Sequence, residues 1–168
     1  MTTSSQDAID FILREHQRQR QVCVMLEEVA AADECDAALL ASLVDFIRFD
    51  LTLHVIDEEE DFFPLLRARC LPEDDIGSVL DQMQSEHAED RRLAQQVRDV
   101  LQQALVSRQP VNGIEGGAET LRAFAEHEKR HLVMENAVLT PFARKRLTPD
   151  DLYHLTERFA ARRGTAAA

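Results

Sequence analysis

Tryptophan is absent from this 168-residue chain, tyrosine occurs once, and glycine and proline occur five times each. Sheets draw on β-branched and aromatic residues broken by frequent turn formers. Here Leu, Ala, Arg, Gln, Glu and Asp dominate instead, which is the composition of helices. Positive charge is also scarce, 19 Lys and Arg against 31 Asp and Glu, for a net charge of −12. No basic run exceeds the short Arg144 to Arg146 cluster, so a nucleic-acid partner is not expected. No apolar stretch approaches the roughly 20 residues of a membrane span. The opening MTTSSQDAID has neither the charged start nor the apolar core of a signal peptide. The chain is therefore expected to be cytoplasmic, with no membrane partner. Cys23, Cys35 and Cys70 are odd in number and at no metal-like spacing, so in a reducing compartment they read as small apolar residues. A Gly-rich phosphate loop, a Gly-x-Ser-x-Gly elbow and a Cys placed near a His are all missing, which removes nucleotide and hydrolytic readings.

What is present is helical periodicity. With 45% hydrophobic residues, the chain is long enough to bury one sizeable core, and residues 1–168 are expected to form a single domain. Ser4 or Ser5 precedes an amphipathic run from about Gln6 to Ala32, with Ile9, Ile12, Leu13, His16, Cys23, Leu26 and Val29 in its stripe. Asp33 or Asp36 can cap a second run carrying Leu40, Val44, Ile47, Leu51, His54, Glu58 and Leu65. Pro72-Glu-Asp-Asp resembles a helix first turn, followed by a stripe of Ile76, Leu80, Met83, His87, Ala94, Val97 and Leu101. Pro110 to Gly117 breaks the chain before a fourth run from about Ala118 to Ala143. Thr148-Pro149-Asp150-Asp151 opens a short helix to about Arg162, and the tail beyond Arg163 is expected to fray. Four long helices joined by short connections favour an all-α, up-down-up-down four-helix bundle over about 6–143, with a short extra C-terminal helix over about 149–162.

The histidines fall on this frame in a pattern. His127, His131 and Glu135 follow one another at i+4 on one helix face, flanked by Leu121 and Phe124 before and Val138 and Phe142 after. That face should be buried, and two imidazoles with a carboxylate in a buried stripe need a partner such as a metal ion. Taken alone, the segment could equally be a solvated face. Recurrence decides the matter, because His16, His54, His87 and His131 occur once per long helix, each in its middle third. His54 lies about 17 residues before the turn at Leu71 and His87 about 16 after it. At about 1.5 Å per residue both reach roughly 25 Å down the helices. His154 falls in the terminal helix and reads as surface.

The motifs then match a known pattern. His16 stands in Glu-His-Gln-Arg and His87 in Ser-Glu-His-Ala-Glu-Asp-Arg. His54-Val-Ile-Asp-Glu58 is followed by Phe-Phe-Pro64, and His131-Leu-Val-Met-Glu135 by Pro141, so both HxxxE motifs have Pro ten residues after the His. Over about Ile9 to Phe142 the chain resembles the hemerythrin-like, or HHE cation-binding, domain family. That family is itself a standing example of the up-down-up-down bundle. The resemblance implies two non-haem iron ions, oxo- or hydroxo-bridged, with His16, His54, His87 and His131 as terminal ligands and Glu58 and Glu135 as carboxylate bridges. It further implies a small ligand (oxygen, nitric oxide or hydrogen peroxide) bound or consumed for sensing, storage or detoxification.

The chain departs from the oxygen-carrying members of the family in two places. Arg91 stands where they have a second His one turn after the first in the third helix, and Glu135 at four replaces an Asp at five. His127 can supply the missing imidazole as a seventh site residue, or can only hydrogen-bond to a ligand. Two roughly octahedral ions offer about 12 positions, of which the two carboxylates take four and a bridging oxygen two. Five histidines then leave one position open, suited to a reversible carrier, and four leave two, suited to redox chemistry or sensing. Glu59, Glu60, Asp61, Glu126 and Glu128 beside the ligands read as solvated faces. A ferritin-like oxidase would need Glu-x-x-His twice, and only Glu128 to His131 offers it. Zinc at the same residues is conceivable, although six or seven O and N donors suit two octahedral ions better. The alternative from another class is a metal-stabilised helical interaction module, or an iron-handling protein without redox turnover.

Overall fold

Asp7 opens the first helix. Its side chain accepts from the backbone N–H of Ile9 and Asp10, while the Asp10 carboxylate reaches back to the Asp7 N–H. This reciprocal cap starts α1 (Ala8–Ala31). The computed structural model describes residues 7–164. The expected Ser4 and Ser5 caps fall outside them, as does the tail expected to fray beyond Arg163, apart from Gly164. Leu13, placed in the core stripe from the sequence, is exposed, and the buried face carries Glu15 and Gln19 beside the expected His16.

The second long helix, α2, runs over 37–69 and is capped by Asp36, which accepts from the Leu39 N–H at 3.0 Å. Along it α-helical stretches (Ala37–Asp45, Thr52–Ile56, Phe63–Arg69) alternate with two π-helical ones (Phe46–Leu51, Asp57–Phe62). Pro72 to Asp74 does not open the third helix as expected. It forms a separate 3₁₀ turn in which the Asp74 carboxylate accepts from the Leu71 N–H, and Asp75 then takes a left-handed φ of 48°. A left-handed residue cannot continue a right-handed helix, so α3 (Gly77–Ser107) starts only after it. The Gly116-Gly117 pair starts the fourth. Gly116 has φ 69°, and a Cβ on Gly117 would stand 2.8 Å from the Val111 carbonyl. Helix α4 then covers 117–146 as Gly117–Met134, a π stretch Glu135–Leu139, and Thr140–Arg146. Thr148 caps α5 (Pro149–Arg162) in a reciprocal arrangement with Asp151.

No strand occurs among the described residues, and none of their helices is long and apolar enough to cross a membrane. Helix α1 packs on α4, α4 on α3, α3 on α2, and α5 against α1. The apolar core is divided in two. One cluster gathers Leu26, Leu40, Leu43, Val97, Leu101, Leu121 and Phe124, and the other Ile9, Ile12, Phe62, Leu66, Leu80, Met83, Leu139 and Phe159. Each such side chain contributes roughly 1.5–3 kcal/mol when fully buried. Between the clusters lies a buried polar layer that contains His16, His54, Glu58, His87, His131 and Glu135.

Candidate metal centre

Each HxxxE motif ends in a π-helical turn with a shared cause. Pro64 and Pro141 have no N–H to give to the carbonyl four residues back, and their rings crowd that carbonyl. The ladder widens ahead of them, so that the residue before each proline donates five residues back. The Phe63 N–H goes to the Glu58 carbonyl and the Thr140 N–H to the Glu135 carbonyl. Such wide turns recur at functional sites. Here each one carries a glutamate inward one turn below its histidine, and proline ten residues after the histidine is its sequence mark.

The six side chains converge with a definite polarity. Glu58 Oε1 lies 3.5 Å from His16 Nε2 and 3.3 Å from His54 Nε2, while Glu58 Oε2 lies 3.3 Å from His87 Nε2. Glu135 Oε2 lies 3.2 Å from His16 Nε2, and its Oε1 lies 3.2 Å from His131 Nε2. The donors thus divide into two groups, His16, His54, Glu58, Glu135 and Glu58, His87, His131, Glu135, each with its atoms within 4.8 Å of one another. Both carboxylates belong to both groups.

All six residues are at most 4% exposed. His16 Nε2 and both oxygens of Glu58 and Glu135 have no hydrogen-bond partner. A buried polar atom left so costs about 1–3 kcal/mol, and a cluster of them facing one another needs positive charge there, from bound protons or from a metal ion. Two donors bound to one ion at about 2.1 Å stand roughly 3.0–3.4 Å apart, close to the 3.2–3.5 Å found here. Nitrogen and oxygen donors without a thiolate suit iron, manganese or zinc. The residues fit a cation-binding site.

The outward nitrogens of three imidazoles are held as well. His16 Nδ1 donates to Asn136 Oδ1 at 2.9 Å, His87 Nδ1 to Glu59 Oε1 at 3.1 Å, and His131 Nδ1 to Glu86 Oε2 at 3.0 Å. These acceptors keep a proton on Nδ1 and turn Nε2 inward, as outer partners of metal-binding histidines do. Arg91 bonds to both oxygens of the same Glu59, at 3.0 and 3.1 Å. The residue that replaces a histidine in the third helix therefore supports His87 through Glu59.

Charge follows from these contacts. Burial pushes the His16 imidazole down, but the Glu135 and Glu58 carboxylates outweigh it and raise its pKa to about 10. His131, opposed by burial in the same way, is raised to about 11 chiefly by Glu135. His87 is raised too, against its burial, by Glu58. Burial would raise both glutamates, yet the imidazoles hold Glu58 well below the usual carboxylate range and Glu135 at about 2.

His127 is not brought into either group. Four residues of α-helix turn about 40° past a full circle and advance about 6 Å, which carries His127 out of the ligand layer and toward α3. There its Nε2 meets Asp90 Oδ1 at 2.9 Å, with the side chain 18% exposed. The neighbouring acids also need correction. Glu60 and Glu126 are solvated, but Asp61 and Glu128 are buried and Glu59 is half-buried against His87. Burial and the nearby Asp90 charge push Glu128 up to about 8. Asp90 is itself raised by burial against the pull of His131 and His127. The outer acceptors Glu59, Glu86 and Asn136 were missed in the sequence. The signal for the first two was a Glu adjacent to a ligand on a face turned toward the next helix, which one helix read alone does not reveal.

Compared with curated proteins, the chain matches none. The family model described as hemerythrin HHE cation-binding domain matches residues 7–143, which takes in all six converging side chains and leaves outside the last residues of α4 and all of α5. The chain belongs to the hemerythrin HHE cation-binding domain family.

Proposed function

We propose that this chain is a non-haem di-iron protein that reacts with a small diatomic or peroxide ligand. The four long helices form an up-down-up-down bundle around the centre. His16 and His54 hold one ion, His87 and His131 the other, and Glu58 and Glu135 span the two. One observation carries the reading: each buried carboxylate presents one oxygen to each histidine pair, which a single-ion site has no use for. The irons supply one-electron redox chemistry and open coordination positions for the small ligand.

The protein's part is to hold six donors in a dry layer between two apolar clusters, with the outer acceptors fixing three imidazoles. His127 is assigned to Asp90 rather than to an ion, which makes four terminal imidazoles rather than five. Fewer protein donors leave more room at the ions and favour reaction with peroxide or nitric oxide over simple oxygen carriage. Glu128 stands outside both donor groups, so the ferritin-like reading gains nothing from its Glu128-x-x-His131.

The test is iron content and absorption after aerobic purification, then stopped-flow mixing of the reduced protein with oxygen, nitric oxide and peroxide in turn. About two irons per chain with a near-ultraviolet ligand-to-metal band is the expected result. A chain that takes up no iron, or only one, would overturn the proposal.

A further inference from the structure

The run Asp57-Glu-Glu-Glu-Asp61 places five carboxylates in succession, and the wide turn over Asp57–Phe62 sends them three ways. Glu58 goes inward and Glu59 goes to His87 and Arg91 on α3. Asp57, Glu60 and Asp61 go to α5. There Arg162 bonds to Asp57 through Nη1 and to Asp61 and Glu60 through Nη2, the latter two at 2.8 and 3.2 Å. Arg163 meets the other Asp57 oxygen at 2.6 Å, and Arg158 meets Asp61 at 2.5 Å.

These are not ordinary surface pairs, since Asp57 is 1% and Asp61 7% exposed. Helix α5 is fixed independently at two further points. Leu155 and Phe159 are buried in the core cluster, and Asp151 takes a two-pronged bond from Arg69 at 3.0 and 2.8 Å.

From this geometry we infer that α5 is a guanidinium clamp that positions Glu58. Asp57 precedes Glu58 in the same wide turn, so arginine forks that hold Asp57 and Asp61 on the outer side fix the rotation that aims Glu58 inward. They also neutralise two buried carboxylates that would otherwise repel Glu58 or compete with it for cations. Arg158, Arg162 and Arg163 lie beyond the residues the family model matches, 7–143, whereas the carboxylates they hold lie within them. The inference rests on the metal-centre reading.

The test compares the Arg162→Ala Arg163→Ala double variant with wild type. Arg144→Ala serves as control, because it removes an ion-pair fork to Asp7 and Asp10 away from the wide turn. Ferrous ion is titrated anaerobically, and amide hydrogen exchange at residues 57–63 is followed in the metal-free proteins. The double variant should keep its helical content and lose about 10 to 100-fold in iron affinity, the range for outer partners of ligands. Exchange at Phe63, whose N–H bonds to the Glu58 carbonyl, should be selectively faster. The control should change neither. A double variant with wild-type affinity and exchange, differing only in melting temperature as the control does, overturns the clamp. If the wild type itself binds no iron, the metal reading fails, while the exchange comparison still decides whether α5 holds the turn. Should the double variant not fold, Arg162→Lys carries the same comparison, since one ammonium cannot hold Asp57 and Asp61 with a fork.

Discussion

Loading the centre with metal must release protons, and the number can be worked out from the contacts. In the metal-free chain His16 and His131 are raised to about 10 and about 11 because their Nε2 atoms face Glu135 and Glu58. Both are therefore protonated at neutral pH, whereas an imidazole of ordinary pKa, about 6.5, would be mostly neutral at pH 7.5. A metal ion needs the Nε2 lone pair, so each of these histidines gives up a proton when the ion arrives. The two glutamates contribute none, because Glu58 and Glu135 are held below the usual carboxylate range. His87, raised as well, adds up to one more.

Two to three protons released means that the apparent affinity rises about a hundred to a thousandfold per pH unit near neutrality. Ferrous titration under argon at pH 7.5, in two buffers of different ionisation enthalpy, reads the proton number directly. A release near zero would refute the reasoning, since it would mean that the imidazoles are neutral before the metal comes. Stability offers a second reading. A histidine whose pKa is raised on folding stabilises the chain fully below about 6.5, and that stabilisation is lost as pH climbs through about 10 to 11. The metal-free protein should lose melting temperature from pH 7 to pH 10, and the gap between loaded and metal-free protein should widen over that range.

Three further outcomes follow from individual residues. Glu58→Ala or Glu135→Ala should empty both ion positions, whereas His54→Ala should leave one ion, as metal counts per chain would reveal; two ions retained in both glutamate variants would refute the bridging assignment. His127→Ala should keep the iron count and the absorption spectrum, with an affinity loss of at most about tenfold, because His127 contacts Asp90; a shifted spectrum would put it back among the ligands. Glu128→Gln should raise the melting temperature of the metal-free chain. Its folded pKa of about 8 lies above the ordinary carboxylate value, so burying it costs stability that grows with pH up to about 8 and vanishes in acid. A variant that melts like wild type at pH 8 would argue that the carboxylate is solvated.

The sequence revealed most where a period of 3.6 and an apolar stripe coincide. The four long helices, the last short one and the common depth of His16, His54, His87 and His131 could all be placed from spacing. Two kinds of feature could not. Spacing of i+4 marks two side chains as neighbours on a helix but does not say how far along it the metal layer extends. Spacing therefore left His127 open between ligand and outer hydrogen-bonding partner, and the contact with Asp90 on α3 could not be read from it. Partners across helices were likewise hidden: acids adjacent to ligands looked solvated because Arg162, Arg163 and His87 lie elsewhere in the chain. The proline ten residues after each histidine was visible, while its effect on the ladder needed the backbone. Asp75 shows the converse limit, since Pro72-Glu-Asp-Asp has every local mark of a helix start and the left-handed φ at its end moves the start to Gly77.

The wide turns and the divided core together decide how such a centre can exist in a chain of this size. A continuous apolar core would fold more tightly, yet it would have no place for six polar side chains, four of which carry unpaired buried atoms that cost about 1–3 kcal/mol each. Splitting the core lets each apolar half fold its own end of the helices, so the polar layer between them need not hold the fold by itself. The layer's cost is then reduced locally. Imidazolium and carboxylate neutralise one another when no ion is present, as the raised His16 and His131 and lowered Glu58 and Glu135 indicate. Entry of cations replaces those protons with stronger positive charge at the same points. Metal removal should therefore lower stability without collapsing the helices, and that same protonated state is why uptake of the ions must depend steeply on pH.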